Sequence, residues 1–341
     1  MPTASAQIFD GPGHPLRCEN LPLPDSLAPG EVLVEIGLAT ICGSDLHTLS
    51  GLRTEPTPLI LGHEAVGRVV ASQRPTSALG DRVSWTIADS CGTCLPCTEH
   101  RLPEKCVALF KYGHATLSDG SGLNGCYATH LLIRPGTHIA NVDDRLPDSA
   151  VAPANCALAT AVNAIAVLPT PCNKVLVQGA GLLGLYTCAL LAERGIEQIY
   201  CTDIDADRLA LSSEFGAIPV TDPPPEGLDA VFEVAGNADL IPAGIAALRP
   251  GGSYVFVGMV HPNTRLELTG EQVIRKCLTI RGVHNYSPHH LDEALAFLAR
   301  TADRYPYSSL VSAPFALAEL EQAIALAATR QYIRVAVDPN A

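Results

Sequence analysis

The sequence has little charge, few aromatic side chains and no long uninterrupted apolar run. Charged residues make up 17% and aromatic residues 5% of the 341 residues, whereas hydrophobic residues make up 47%. These proportions are typical of globular proteins and exclude an intrinsically disordered chain. The most apolar tract, residues 175–192, is interrupted by glycines and by Gln178, so it does not predict a membrane span.

Basic residues are scarce relative to acidic ones. The chain has 22 lysines and arginines against 35 aspartates and glutamates, which gives a formal net charge of -13. This balance argues against nucleic acids or anionic membranes as partners, although it leaves room for a local basic pocket around an anionic substrate. The opening residues MPTASAQ contain no charged segment followed by an apolar one, so we expect no secretory signal and a cytoplasmic location.

The pattern of short apolar runs predicts two domains that differ in secondary structure. Residues 1–155 contain many prolines and glycines and short alternating runs, such as 31–38 and 65–70, which predict β-strands. From residue 170 onward strands and helices alternate, with strands expected at 174–178, 198–202, 230–234 and 253–257 and helices at 182–194 and 207–214. This alternation predicts a doubly wound parallel α/β sheet with helices on both faces. In the C-terminal segment, further helices are expected at 291–299 and 317–328.

Four of the twelve cysteines lie close together in the sequence. They follow the spacing C-x2-C-x2-C-x8-C and are Cys91, Cys94, Cys97 and Cys106. In a chain without a secretory signal such a cluster predicts metal ligands, because cytosolic thiols stay reduced. Four sulfurs complete the tetrahedral shell of a zinc ion and leave no position for a substrate, so we expect a structural zinc site. The other cysteines are scattered, and each taken alone is most simply interpreted as a small buried hydrophobic residue.

A glycine-rich turn follows the first predicted strand of the second domain. Its G-x-G-x-x-G sequence consists of Gly179, Ala180, Gly181, Leu182, Leu183 and Gly184. Glycines at these positions allow a pyrophosphate to approach the free amide groups at the start of the next helix. Asp203, nineteen residues after Gly184, ends the next predicted strand and is placed to bind the ribose hydroxyls, which favours NAD over NADP. Arg208 lies five residues further on and complicates that choice; a simple turn for the glycines and a helix cap for Asp203 are the structural alternatives.

Two more motifs precede this region. They are C-G-S-D-L-H at residues 42–47 and G-H-E-A-V-G at residues 62–67, and Cys156 stands at the junction of the two predicted domains. Together with the cysteine cluster and the glycine-rich turn, these motifs resemble those of zinc-dependent medium-chain dehydrogenases of the alcohol dehydrogenase superfamily. The resemblance extends over essentially the whole chain.

The resemblance implies a particular domain organisation. A Rossmann NAD-binding domain, with a doubly wound parallel sheet, is expected over residues 157–284. A β-rich GroES-like catalytic domain is expected over residues 1–156 and 285–341, with the structural zinc lobe at about residues 91–106. In relatives the edge of the Rossmann sheet pairs with a second subunit, so we expect a homodimer or a homotetramer.

The resemblance also implies a catalytic zinc ion, which makes two zinc ions per chain. Its protein ligands are expected to be Cys42, His63 and Cys156, and the fourth position is expected to take water or the substrate oxygen. Glu64, next to His63, is a candidate for a transient or fourth ligand. A zinc ion at this position acidifies an alcohol or polarises a carbonyl, so the expected reaction is reversible hydride transfer between an alcohol and NAD.

Three residues of the same motifs have expected catalytic roles. Asp45 is expected to accept a hydrogen bond from the far nitrogen of His63 and to orient the ring. Ser44 is expected to take the alcohol proton and pass it, through the nicotinamide ribose, towards His47 and solvent. Simple packing of His47 and a capping role for Asp45 are the structural alternatives.

Two positions depart from the family pattern. The spacer before Cys106 is one residue longer than is usual in the family. Gly43 stands where some relatives carry a basic residue against the pyrophosphate, so backbone amides are expected to supply more of that contact.

Four short segments resemble a subgroup of alcohol dehydrogenases associated with phosphonate metabolism; they are residues 59–64, 111–114, 152–156 and 280–286. The resemblance places Arg53, Ile87 and the segment 111–114 at the wall of the substrate pocket. A guanidinium group there suits a carboxylate or a phosphonate, so Arg53 is a candidate for binding an anionic hydroxyalkyl substrate, although a solvated arginine is the simpler interpretation. A polyol or amino-alcohol dehydrogenase of the same fold is the alternative, and a non-catalytic relative is a more remote one.

Overall fold

The structure, a computed structural model, describes residues 2–221, 223–260 and 264–341. The chain forms two compact units. Unit 1 comprises Met1–Cys156 and Tyr286–Ala341, and unit 2 comprises Ala157–Asn285. Each unit has its own sheets and is described separately.

Most of the regular structure is β-strand in unit 1 and alternating strand and helix in unit 2. The strands are β1 Thr3–Phe9, β2 Arg17–Pro22, β3 Val32–Ile41, β4 Leu59–Ile60, β5 Glu64–Ser72, β6 Arg82–Trp85, β7 Ala88–Asp89, β8 Phe110–Lys111, β9 His130–Ile133, β10 Ile139–Asn141, β11 Lys174–Gln178, β12 Gln198–Thr202, β13 Ile218–Pro219, β14 Leu228–Glu233, β15 Leu248–Phe256, β16 Thr279–Gly282, β17 Phe315–Ala316 and β18 Val335–Asp338. The α-helices are α1 Gly43–Leu49, α2 Leu95–Thr98, α3 Asp148–Val151, α4 Ala159–Ile165, α5 Leu182–Glu193, α6 Ala206–Leu211, α7 Ile241–Ala247, α8 Gly270–Lys276, α9 Pro288–Thr301 and α10 Leu320–Ala328.

The largest sheet of unit 1 has seven strands, and β3 is its central strand. Its order is β10-β6-β5-β3-β18-β17, and β9 also pairs with β3. The first half of β3 pairs with β9, whereas its last residues pair with β18, so that Ile41 lies opposite Val335. Apolar side chains of these strands, among them Val34, Ile36 and Trp85, are fully buried and form the core of the unit. The core therefore supports the end of β3, from which α1 begins.

Unit 2 contains one six-stranded parallel sheet. Its strand order is β13-β12-β11-β14-β15-β16, in which the order reverses direction at the β11–β14 pair. This is the order of the doubly wound nucleotide-binding fold. The fold class predicted from the alternation of strands and helices is confirmed.

Several helix boundaries differ from those predicted. The helix expected over 207–214 is shorter, because α6 passes into a 3-10 turn over Ser212–Phe215 that ends at Gly216 in the left-handed region, with φ of 84°. Helix α9 is longer than expected at both ends. Ser287 stands at its N-cap and Pro288 at its first position, two residues that favour a helix start.

Within the described residues, no helix is long and apolar enough to cross a membrane. The longest apolar one, α5, has twelve residues.

Candidate functional site

The four clustered cysteines lie together in the loop between β7 and β8. The sulfurs of Cys91, Cys94, Cys97 and Cys106 are all within 4.8 Å of one another. The Sγ atoms of Cys91 and Cys106 are 3.4 Å apart, and those of Cys94 and Cys97 are also 3.4 Å apart. The amide groups of Cys91 and Ala108 each donate to Cys106 Sγ at 3.3 Å. Four sulfurs around one point fit a structural zinc ion.

The local backbone supports this arrangement. The longer spacer before Cys106 folds into a 3-10 turn over Pro103–Lys105.

Hydrogen bonds from Thr93 lower the pKa of Cys91 to about 6. This sulfur therefore carries the negative charge that a metal ligand requires at neutral pH.

A second group of side chains with the donor atoms of a metal site lies in unit 1. Ligand atoms of Cys42, His63, Glu64 and Cys156 are all within 4.8 Å of one another. Cys42 is the N-cap of α1 and follows β3 directly, whereas His63 directly precedes β5 and Glu64 is its first residue. Cys156 lies in a π-helical turn over Ala154–Leu158. The structure thus brings together residues that come from three distant parts of the sequence.

The two thiols of this group are coupled. A hydrogen bond from Cys156, together with the charge of Arg334, holds the pKa of Cys42 well below its usual range. The same contact with Cys42, together with burial, raises the pKa of Cys156 well above its usual range. The pKa values of the two thiols thus shift in opposite directions, and a bound cation would favour the loss of the proton from Cys156.

Asp45 fixes the orientation of His63. Its Oδ2 accepts hydrogen bonds from the Cys42 amide and from the Tyr127 hydroxyl, each at 2.9 Å. Its Oδ1 lies 3.5 Å from His63 Nδ1, and neither of these two buried atoms has a hydrogen-bond partner within the described residues. Burial would lower the pKa of His63, but Asp45 and the Cys42 thiolate outweigh it and raise the pKa to about 10. With Nδ1 facing Asp45, Nε2 is the nitrogen available for a metal.

Glu64 is held by a residue that the sequence did not single out. Arg334, from the start of the last strand, pairs with it through Nε–Oε2 at 2.9 Å and Nη2–Oε1 at 3.1 Å. The Thr40 hydroxyl donates to Oε2 at 2.7 Å, and Arg334 Nη2 also lies 3.8 Å from Cys42 Sγ. Burial raises the pKa of Glu64 to about 7, against the opposing pull of Arg334. Glu64 is therefore within reach of the metal site but has both oxygens engaged.

The donor set fits a catalytic zinc ion. Two sulfurs and one imidazole nitrogen are the ligands that zinc prefers. His63 Nδ1 is buried, faces a carboxylate and has no other partner among the residues that the structure describes, which is the arrangement that metal-binding histidines use on their far side. Cys42, His63 and Cys156 would hold the ion and leave a fourth position for a small molecule.

Two glycines bring the loop before His63 against the segment 111–114. A Cβ on Gly113 would lie 2.5 Å from Gly62 O, and a Cβ on Gly62 would lie 2.9 Å from the Tyr127 ring. Both glycines also have φ in the left-handed region, at +74° and +90°. As a result the His114 ring stacks on the His63 ring, with 5.4 Å between centroids. Burial lowers the pKa of His114 to about 4, so its ring is neutral at neutral pH.

Charged side chains connect His114 to the predicted substrate residue Arg53. Glu55 Oε1 lies 2.6 Å from Arg53 Nε and 3.0 Å from His114 Nδ1. The Arg53 side chain is 34% exposed, whereas that of Glu55 is 13% exposed. Arg53 is thus ion-paired with Glu55 and partly exposed to solvent. Ile87, the other predicted substrate residue, is 4% exposed.

Lys111 is a second cation in this region. Burial, and then the charge of Arg53, lower the pKa of Lys111, whereas Cys156 and Glu55 act in the opposite direction. Its ammonium group makes no ion pair or hydrogen bond within the part of the chain that the structure describes. Arg53 and Lys111 together carry two positive charges against the single carboxylate of Glu55.

The predicted proton-relay residues lie on α1. Ser44 and His47 are both half-buried and three positions apart, so they lie on the same face of the helix. The backbone carbonyl of His47 accepts hydrogen bonds from the Arg53 amide at 3.0 Å and the Ser50 hydroxyl at 3.1 Å. These contacts fix the helix end that carries His47.

The glycine-rich turn of unit 2 lies between β11 and α5, as the sequence predicts. A Cβ on Gly184 would lie 1.8 Å from Gly179 O, so only glycine allows α5 to approach the strand this closely. A Cβ on Gly181 would meet no atom within 4 Å. Gly181 is the N-cap of α5 and provides no side-chain cap, so the amides of Leu182 and Leu183 are suited to an anion. The space beside Gly181 and these amides fit a dinucleotide pyrophosphate.

Asp203 follows β12 and contacts this turn. Its Oδ2 accepts from the Ala180 amide at 2.6 Å, and its Oδ1 accepts from the Asp205 amide at 2.9 Å. Arg208 Nε lies 3.9 Å from Asp205 Oδ2. The carboxylate of Asp203 is therefore held beside the glycine-rich turn, and Arg208 is directed to Asp205.

Two family models match the chain. The model of the alcohol dehydrogenase GroES-like domain matches residues 28–144, and that of zinc-binding dehydrogenase matches residues 183–300. Among curated proteins, the 5-exo-hydroxycamphor dehydrogenase of Pseudomonas putida is 28% identical over 91% of this chain and 92% of its own length. The L-threonine 3-dehydrogenase of Streptomyces avermitilis is 30% identical over 78% of this chain and 79% of its own length.

Solved structures of alcohol dehydrogenases are similar in fold over nearly the whole chain. The crystal structure of an alcohol dehydrogenase from Thermotoga maritima has a TM-score of 0.92 and 27% identity, covering 98% of this chain and 99% of its own. That of an alcohol dehydrogenase from a Thermus species has a TM-score of 0.86 and 26% identity, covering 98% and 99%.

Proposed function

Because this chain belongs to the zinc-dependent medium-chain dehydrogenases of the alcohol dehydrogenase superfamily, we propose that it catalyses the reversible, NAD-linked oxidation of a primary or secondary alcohol. The observation that carries this proposal is the convergence of Cys42, His63 and Cys156 within 4.8 Å, with His63 oriented by Asp45. A non-catalytic relative would have no need for a three-ligand set with an open position.

The residues around the metal site have defined parts in this reaction. Cys42, His63 and Cys156 would hold the zinc ion, which would make a substrate hydroxyl more acidic, and the dinucleotide would supply the hydride acceptor. Ser44 accepts the hydroxyl proton, and His47, one turn further along α1, delivers it to solvent. Asp45 holds the imidazole of His63, while Arg334 keeps the charge of Glu64 balanced beside the thiolates.

We assign NAD as the preferred dinucleotide. Asp203 places a carboxylate next to the turn, where it would accept hydrogen bonds from the ribose hydroxyls of NAD and would repel a 2′-phosphate. The pairing of Arg208 with Asp205 directs that cation away from a role in binding a 2′-phosphate.

The substrate class proposed here is a hydroxyalkyl compound with an anionic group, such as a carboxylate or a phosphonate. Arg53 and Lys111 outnumber the nearby carboxylate of Glu55, and Lys111 has no partner of its own within the described residues. A half-buried ammonium group without a partner is costly, so an anionic substrate group beside Lys111 would stabilise the site. This charge balance is the support for the likeness to the phosphonate-associated subgroup.

An amino-alcohol substrate is the second candidate, and Glu55 is the observation that favours it. A carboxylate that is 13% exposed beside Arg53 offers a place for an ammonium group, while the cations take a carboxylate of the same molecule. A polyol is uncharged, so it would pair neither with the Glu55 carboxylate nor with the two cations.

The cytoplasm is the proposed location, because none of the twelve cysteines forms a disulfide within the described residues and a reducing compartment would keep the proposed zinc ligands available.

The test measures zinc content and NADH formation on a panel of hydroxyphosphonates, hydroxycarboxylates, amino alcohols and polyols. We expect two zinc atoms per chain and NADH formation fastest with an anionic alcohol. The variants Arg53→Ala and Lys111→Met are expected to lower kcat/KM for the anionic alcohol by about 10–100-fold, because each removes a charged hydrogen bond, and to change a neutral alcohol of equal size little.

Arg145→Ala is the matched control, because Arg145 pairs with Asp143 at the surface of the same unit. Equal losses on anionic and neutral alcohols would overturn the substrate class and leave the dehydrogenase assignment standing. One zinc atom per chain and no NADH with any alcohol would overturn the assignment itself.

A further inference from the structure

Cys156 is the metal-binding residue with the least regular backbone. It lies in the π-helical turn over Ala154–Leu158, whereas Cys42 and His63 adjoin long strands of the central sheet. A π-helical turn is an uncommon conformation that needs support from its surroundings. The position of the Cys156 sulfur therefore depends on whatever holds this turn.

Asn155 holds the turn from one side. It is fully buried, and its Nδ2 donates to the backbone carbonyls of His63 and Trp85, each at 3.0 Å. One side chain thus ties the residue before Cys156 to the backbone of a second expected metal ligand.

Tyr286 holds the turn from the other side. Its hydroxyl donates to the backbone carbonyl of Asn155 and accepts from the Ile87 amide at 3.3 Å. The side chain is 4% exposed, so these hydrogen bonds are protected from water. The segments 152–156 and 280–286, which the sequence singled out separately, meet at this hydrogen bond.

The next residue, Ser287, anchors Tyr286 to the cysteine cluster. Ser287 is the N-cap of α9, and its hydroxyl donates to Glu104 Oε2 at 3.0 Å. Glu104 is 7% exposed and lies two residues before Cys106. The hydrogen bonds made by the Ser287 and Tyr286 hydroxyls, joined by short stretches of chain, therefore connect the four-cysteine site to the site of Cys156.

We propose that Tyr286 is a positioning residue for the catalytic metal, acting through the carbonyl of Asn155 on the sulfur of Cys156. The proposal rests on the metal site of the proposed function. Without the hydroxyl, the π-helical turn loses one of its two supports, and the Cys156 sulfur is held less firmly at the distance that a zinc ion requires. The hydrogen bond between Ser287 and Glu104 fixes Tyr286 in turn.

The experiment uses Tyr286→Phe, which removes only the hydroxyl. Zinc release from the purified protein into a coloured chelator is followed over time, and the visible spectrum is recorded after substitution with Co2+. We expect one equivalent of metal to leave about 10–100-fold faster than from the wild type, since lost outer hydrogen bonds weaken metal sites by that factor. The equivalent held by the four cysteines is expected to keep its rate, and the thiolate-to-cobalt absorption of the faster site is expected to shift.

Tyr307→Phe is the matched control. Its hydroxyl is 2.8 Å from Thr301 Oγ1, and the residue is 3% exposed, so the variant loses a hydroxyl of similar burial elsewhere in unit 1. Both release rates and the cobalt spectrum are expected to match the wild type. If Tyr286→Phe does not fold, Ser287→Ala serves the same test, with faster release of the same equivalent expected.

Wild-type release rates and an unchanged cobalt spectrum in Tyr286→Phe, with two metals bound, would overturn the positioning role and leave the proposed function intact. A wild type that binds only the four-cysteine metal would overturn the proposed function, and the positioning role with it.

Discussion

Asp45 contacts three parts of the proposed metal site. One carboxylate oxygen fixes the amide of Cys42 and the hydroxyl of Tyr127, and the other faces His63. Three parts of the site thus depend on a single side chain, which is fully buried.

The substitution Asp45→Asn removes the negative charge of the side chain and keeps its shape. Asp45→Asn can still accept from Cys42 and Tyr127 but no longer attracts the far nitrogen of His63. We expect metal affinity and kcat/KM to fall by about 10–100-fold, measured by zinc release and by NADH formation.

Asp143→Asn is the control for that substitution, because Asp143 pairs with Arg145 at the surface of the same unit. A wild-type release rate in Asp45→Asn would mean that the carboxylate does not support the ligand.

At the scale of residues, short motifs predict the metal ligands and the nearby Asp45, but not the neighbours that come from distant parts of the chain. Cysteines and histidines in short motifs point to a metal through their chemistry alone. Arg334 pairs with Glu64 across 270 positions, and no local pattern connects the two. Glu55 is likewise an ordinary surface glutamate in the sequence, and only the fold brings it between Arg53 and His114.

At the scale of elements, the contact of α5 with β11 depends on one missing side chain. Gly184 lies in the first turn of α5, and its Cα faces the carbonyl of Gly179. A Cβ there would lie 1.8 Å from that oxygen, so the helix would have to move away from the strand.

Gly184→Ala is expected to lower the free energy of unfolding by about 1–3 kcal/mol, the usual cost of overfilling a packed site. It is also expected to weaken NADH binding, because the displaced helix no longer presents its first amides at the turn. Thermal unfolding and NADH fluorescence measure the two effects.

Gly270→Ala provides the comparison. Gly270 opens α8 in the same unit, and a Cβ there would meet nothing within 4 Å. If Gly184→Ala and Gly270→Ala change the free energy of unfolding equally, close packing is not the reason for glycine at position 184.

Long strands and helices could be predicted because their periodicity is strong. Strand β11 and strand β12 lie where the apolar runs placed them. The 3-10 turn over Ser212–Phe215 was not predicted, since its composition continues that of α6 and only the left-handed Gly216 ends the run.

At the scale of the whole molecule, β16 leaves one edge of the parallel sheet open within the described residues. All four residues of Thr279–Gly282 are exposed, and Ile280 is among them. An uncovered strand edge pairs readily with a second copy.

We therefore expect a dimer or tetramer by light scattering. Ile280→Lys is expected to shift the population towards smaller species, because it places a charge in the pairing strand. Ile218→Lys, at the opposite edge strand β13, is expected to leave the mass unchanged. A monomeric wild type would contradict the expectation.

The place of β18 in unit 1 has a consequence for protein synthesis. The end of β3 pairs with β5 on one side, but its neighbour on the other side is β18, almost 300 positions later, whereas Ala157–Asn285 is one continuous stretch. On the ribosome, the nucleotide-binding unit is therefore able to fold while the strand that leads to Cys42 still has an unpaired edge. Removal of β18 would therefore expose one edge of the strand that ends at Ile41, far away in the sequence.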